Sequence, residues 1–130
     1  MVTPDKLKPL PNLLSYKKRL PLCCRQAEFA SFRQKYPHSV PMVVEKHRKE
    51  KYLVDLDRLV FIIPERMTAG QIQNVIKKRL GHNVFQMHIY LLINNRFTPP
   101  LTLTAAEMAY RYRDEDGFVY ITYSSQETFR

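Results

Sequence analysis

The sequence predicts a single α+β domain in which a mixed sheet wraps over one main helix and a helical extension precedes both. Two segments carry complete helix-start signals, Thr68 with Gln71 and Thr104 with Glu107. Four runs of strand length, starting at Val40, Leu59, His88 and Phe118, surround them. At 130 residues and 45% apolar content the chain can bury one core without disulfides or metals.

Residues 1–12 hold Pro4, Pro9 and Pro11 among Lys and Leu, a composition that resists helix and strand and predicts an arm. Residues 13–130 are expected to form the domain, divided into a helical extension over 13–37 and a sheet-containing part over 38–130. Leu13, Leu14 and Tyr16, then Ala27, Phe29, Phe32 and Tyr36, recur among Lys, Arg and Gln, so two short helices divided by Pro21 are expected. Val40, Met42 and Val44 alternate with their neighbours and predict a half-buried strand, with Pro41 marking its beginning or an edge. His47 to Arg58 reads as a charged loop. Leu59 to Ile63 is a continuous apolar run stopped by Pro64, a strand with protein on both faces.

A helix then begins at Thr68, where the capping box is reinforced by a staple between Met67 and Ile72. Ile72, Val75, Ile76 and Leu80 share one of its faces, Lys77 to Arg79 suit its carboxyl end, and Gly81 is placed for a left-handed cap. His88 to Ile93 predicts a buried strand closed by Asn94 and Asn95. Thr104 with Glu107, stapled by Leu103 and Met108, opens a helix running to about Arg113. Asp114 to Gly117 is a turn, and Phe118 to Tyr123 a final strand.

The net charge is +9, and it is uneven: residues 1–58 hold 13 Lys and Arg against 6 Asp and Glu, whereas residues 59–130 hold 8 against 6. Such a basic half suits either a solvated face or an acidic partner, so a basic adapter that binds anionic membrane, tubulin or RNA surfaces is one functional reading. Cys23 and Cys24 are adjacent and carry no disulfide framework. No apolar run approaches a membrane span, and the N-terminus lacks the apolar core of a secretion signal, so a cytoplasmic protein is expected.

Catalysis finds little support. His38, His47, His82 and His88 have no partners at metal-ligand spacings. Asp114, Glu115 and Asp116 are better explained as a turn than as an acid–base pair, and Cys24 has no identifiable base. With three glycines in the chain, no phosphate-cradling loop exists. A non-enzymatic protein without metal or cofactor is expected.

Three segments, FRQKYPHSVPMVVEK from Phe32, DLDRLVFIIPERMTAGQ from Asp55 and DEDGFVYITYSSQETF from Asp114, carry a family resemblance. The chain resembles the ubiquitin-like autophagy modifiers, the group that includes GABARAP and the microtubule-associated-protein light chains, over about Leu14 to Phe129. The resemblance implies a ubiquitin-like β-grasp with two additional N-terminal helices. It further implies a role in autophagosome formation and cargo recruitment through peptides of the form aromatic, two variable residues, aliphatic, with association to autophagosome membranes.

Carried over by position, Glu28, Phe32, Pro41, Val60, Ile62 and Phe118 would form an aromatic pocket. Phe61, Ile63, Pro64, Met67, Ile72 and Val75 would form an aliphatic one, and Arg58 and Arg79 would meet acidic residues of the peptide. For each apolar residue, plain core packing is the rival reading. Val60 stands where relatives commonly carry Lys, which makes the aromatic rim more apolar. The family's conjugated glycine position holds Arg130, so lipid conjugation is not expected at that residue. Partners implied are cargo receptors and autophagy proteins with such motifs, and tubulin. The family's activating, transfer and processing enzymes and phosphatidylethanolamine membranes are implied for a glycine-ended form, and the chain is expected to be a monomer.

Overall fold

A computed structural model of the chain describes residues 15–81 and 88–125. The arm over 1–12, Leu13, Leu14, His82 and the tail from 126 to Arg130 lie outside the described residues. The elements follow in the order the sequence predicts: α1 (Tyr16–Arg19), α2 (Leu22–Lys35), β1 (Ser39–Lys46), β2 (Val60–Pro64), α3 (Ala69–Leu80), β3 (Tyr90–Ile93), α4 (Ala105–Tyr112) and β4 (Val119–Ser124).

Local chemistry places the helix ends. Pro21, which cannot continue a helix from α1, is the N-cap of α2. Both capping boxes form: Gln71 N–H donates to Thr68 Oγ1 at 3.3 Å and Thr68 N–H to Gln71 Oε1 at 3.0 Å, and Glu107 and Thr104 repeat the exchange at 3.2 and 3.1 Å. Helix α3 ends at Leu80 as expected, although Gly81, with φ +103° and ψ −179°, is not in the left-handed helical conformation of a Schellman cap. Its positive φ still suits glycine. Asn94 and Asn95 both take positive φ, 54° and 57°, to turn the chain after β3, which starts at Tyr90 rather than His88.

The sheet has the order β2-β1-β4-β3, with β1 and β4 parallel and the other pairs antiparallel. This corrects the expectation that β1 is half-buried or an edge. It is an inner strand, buried along Val40 to Val44, because each face meets a different apolar cluster. Val40, Met42 and Val44 join Phe61, Ile63, Ile72, Ile76 and Met108 beneath α3 and α4. Val43 joins Tyr16, Val60, Phe118 and Tyr120 beneath α1 and α2.

Pro41 is tolerated inside this strand for a geometric reason. Val44 N–H donates to Leu59 O at 2.9 Å and His47 N–H to Tyr123 O at 2.9 Å, so odd-numbered β1 residues turn their main chain toward β4. Pairing with β4 starts only at Met42 with Val119, which leaves the missing donor of Pro41 without a ladder acceptor to lose.

Two long-range polar anchors complete the fold. Arg25 on α2 reaches Asp116 in the turn before β4, with Nη1 2.9 Å from Oδ2, and Asp116 also accepts from the Tyr120 hydroxyl and, at 2.8 Å, from Phe118 N–H. Asp116 is 2% exposed and Arg25 8%, so this is a buried ion pair whose lone pairs are matched. Lys17 on α1 pairs with Asp114 beside it. Gly117, at φ +100°, completes the contact: a Cβ there would run into the Phe29 ring.

The second anchor is Glu50, within the 47–58 loop. Its buried carboxylate accepts from Tyr52 and Leu53 N–H at 2.7 Å each, from the Ser124 hydroxyl at 3.1 Å and from Ser125 N–H at 2.7 Å. Burial alone would raise its pKa; the bonds from Ser125, Tyr52 and Leu53 outweigh this and hold it at about 2.

Two outcomes follow from these anchors. Because the folded pKa of Glu50 lies below its usual 4.5, its contribution is fully present above that pH and is lost as pH falls toward 2. Glu50→Gln should therefore cost roughly 1–3 kcal/mol at pH 7. In urea melts the gap from wild type should narrow between pH 4.5 and pH 2, and a pH-independent gap would contradict the assignment. Asp116→Ala, which strands Arg25 in the interior, should cost roughly 3–5 kcal/mol. The double change Arg25→Met with Asp116→Leu should recover much of that loss, which equilibrium denaturation would detect.

Candidate functional site: the open edge of β2

Strand β2 is paired with β1 on one side, and among the described residues no strand pairs with its other side. The register decides what that open side offers. Val44 bonds with Leu59, so by alternation Leu59, Phe61 and Ile63 turn their main chain toward β1, while the N–H and C=O groups of Val60 and Ile62 point outward. Such a row of outward donors and acceptors is a template for another extended chain.

The side chains of this strand divide between the two faces of the sheet. Val60 and Ile62 lie in the cluster under the N-terminal helices, with Phe32, Phe29 and Leu20 packed against it. Phe118 is its centre, its ring 5.6 Å from Tyr16, 5.4 Å from Phe29 and 6.4 Å from Phe32, each edge-on. Pro41 is opposite Ile62 in the register, and Glu28 on α2 is 4% exposed. The structure thus brings the six residues proposed for the aromatic pocket to one side of the sheet. Pro41, Val60, Phe118 and Glu28 are buried, whereas Phe32 and Ile62 remain half-exposed. Burial raises the pKa of the Glu28 carboxyl, which places a costly polar group beneath an otherwise apolar surface.

Phe61 and Ile63 enter the other cluster, against Ile72 and Ile76 of α3. Met67 and Val75 pack on that cluster while staying half-exposed, and Pro64 is exposed. These residues also converge. Arg58 is exposed just before β2. Arg79 sits with its guanidinium 5.8 Å from the Phe61 ring and pairs with Asp57 at 3.1 Å. Asp57 is thus a neighbour that sequence reasoning did not nominate, and an acidic ligand group would have to compete with it.

Among the described residues no three His, Cys, Asp or Glu side chains converge as metal ligands would. A separate cleft of ≈ 320 Å³ opens between Ala69 and Gln73 of α3, His88, Tyr90 and Leu91, and the segment from Thr98 to Leu101. Of its lining residues, His88 is one of the four histidines that the sequence offers without metal-ligand spacing, and none belongs to either proposed pocket.

Sequence comparison gives the chain its relatives. The family model described as "Autophagy protein Atg8 ubiquitin like" matches residues 24–130. The human microtubule-associated protein 1 light chain 3 gamma is 40% identical over 129 residues, which covers 99% of this chain and 85% of the relative. Autophagy-related protein 8d of Arabidopsis thaliana is 36% identical over 88% of this chain and 93% of its own length. Autophagy-related protein 8 of Dictyostelium discoideum is 35% identical over 91% and 95%.

Proposed function

The chain belongs to the Atg8 ubiquitin-like family of autophagy proteins, and from that premise we propose that it captures short peptides along the open edge of β2. The observation that supports this most directly is the coincidence of outward main-chain groups at Val60 and Ile62 with apolar surfaces on both faces of the same strand. A peptide laid along the edge gains main-chain hydrogen bonds, and its alternate side chains fall to opposite faces.

An aromatic residue suits the Phe32, Ile62 and Phe118 side, where edge-on ring contacts are already the packing mode. An aliphatic residue suits the surface of Met67 and Val75 over Phe61 and Ile63. Exposed Arg58 and the partly committed Arg79 favour acidic residues in or beside the motif, which raises the association rate and makes binding sensitive to salt. The protein acts as a non-catalytic adapter that brings cargo receptors and autophagy proteins carrying such motifs to autophagosome membranes. The reading of a general anionic-surface adapter differs in its test: its binding falls steeply with salt and ignores damage to the two apolar surfaces.

Peptides with an aromatic and an aliphatic residue three positions apart should bind with affinities of about 1–100 µM, a scale suited to a small interface. In a mutant cycle read by calorimetry, Ile62→Ala should couple with truncation of the peptide's aromatic residue, and Ile63→Ala with truncation of its aliphatic residue, by roughly 0.5–3 kcal/mol. Ile63 is nearly fully buried, so its truncation also costs roughly 2–5 kcal/mol of stability. Only protein shown to be folded by NMR enters the cycle. Coupling of both changes to the same peptide position would refute the division between faces.

A further inference from the structure

Cys23 and Cys24 take no part in the core, in either polar anchor or in the peptide edge. They occupy the first turn of α2, are both exposed, and hold their sulfurs 4.0 Å apart. The rest of α2 fixes their direction: Arg25 is tied to Asp116, Glu28 is buried, and Phe29 and Phe32 meet Phe118. The thiols are therefore presented from a rigid support, and the helix that carries them leaves no room for a bridge between neighbours. Their surroundings have a definite order. Lys17 and Lys18 of α1 are exposed, Arg19 follows, and Leu20, Pro21 and Leu22 then lead to the thiols, with Pro21 exposed and both leucines half-exposed. This stretch lies in the basic half of the chain.

We propose that Cys23 and Cys24 are S-acylation sites, and that the acyl chains and the adjoining basic stretch together anchor this end of the molecule to an anionic membrane. The physical reason is that one acyl chain alone holds a protein only marginally, while two chains, or one chain with basic residues, hold it stably. Adjacent thiols preceded by exposed Lys18 supply both second signals at one place: a cation at the level of the phosphates, next to Lys17 whose charge is shared with Asp114, and two chains entering beside Leu20 and Leu22. Charge complementarity selects the membrane as occupant over an uncharged partner.

The chemistry balances without an oxidant or reductant. Each cysteine sulfur attacks the carbonyl carbon of a long-chain acyl thioester, the bond from that carbon to the carrier sulfur breaks, and the cysteine proton ends on the departing carrier thiol. The anchor is independent of any linkage at the C-terminus and of peptide capture on β2.

Acyl exchange on the full chain expressed in cells tests this. Free thiols are blocked, neutral hydroxylamine cleaves thioesters but not amides, and each freed thiol receives a mass tag. The wild-type chain should gain up to two tags, Cys23→Ser and Cys24→Ser one each, and the double variant none. The double variant should also show a drop of more than about tenfold in hydroxylamine-releasable membrane association, as loss of both chains requires. Its peptide affinity should stay within twofold of wild type, which shows that it is folded. Untagged wild-type chain, in cells where another acylated protein is tagged, overturns the proposal, as does membrane association unchanged in the double variant.

Discussion

The hydrogen bond from Val44 N–H to Leu59 O belongs to the register of β2 on β1, and the proposed binding surface depends on that register. A slip of one residue would exchange every side chain between faces and turn the outward amides inward. Val60 and Ile62 would then leave the aromatic side, and Phe61 and Ile63 the α3 side. Burial of the strand specifies this register. The continuous apolar run from Leu59 to Ile63 supplies it, with a different cluster receiving each alternate residue.

The same strand needs a wall on each side to become a site. On the α3 side the wall is part of the main core, and its position follows from the capping box at Thr68 and the packing of Ile72 and Ile76. On the other side the wall is α2, which would be a detached helix without the contacts at its N-terminal half. Arg25 with Asp116, Lys17 with Asp114, and the close approach of Gly117 to Phe29 tie the helical pair to the turn that precedes β4. A buried ion pair is not a large source of net stability. Its value here is positional, since it holds the helix whose Phe29 and Phe32 pack on the Phe118 ring.

What the sequence shows and what it hides divide along contact range. The capping boxes at Thr68 and Thr104, the stop at Pro21 and the turn at Asn94 and Asn95 were legible because their partners lie within four residues. The two-face division of β2 was legible from strand parity, and the membership of each pocket came from family resemblance rather than from periodicity. Asp116 reads as a turn residue, which it is, but its partner Arg25 lies 91 residues away in sequence, and no local pattern announces such a pair. Glu50 was hidden in a charged loop for the same reason, since its Ser125 partner is 75 residues distant. The alternation of Val40, Met42 and Val44 suggested a half-buried β1 because one face was legible as apolar, whereas the cover on the other face comes from α1 and α2.

Strand addition at the open edge makes a claim about individual amides. Hydrogen exchange read residue by residue by NMR, with and without a saturating aromatic-x-x-aliphatic peptide, addresses it most directly. The account predicts that the amides of Val60 and Ile62 slow by more than about tenfold when the peptide is bound, as newly bonded edge groups do. It also predicts that Phe61 and Ile63, already bonded to β1, change little. Unaltered exchange at Val60 and Ile62 under saturation, or equal slowing along the whole of β2, would contradict it.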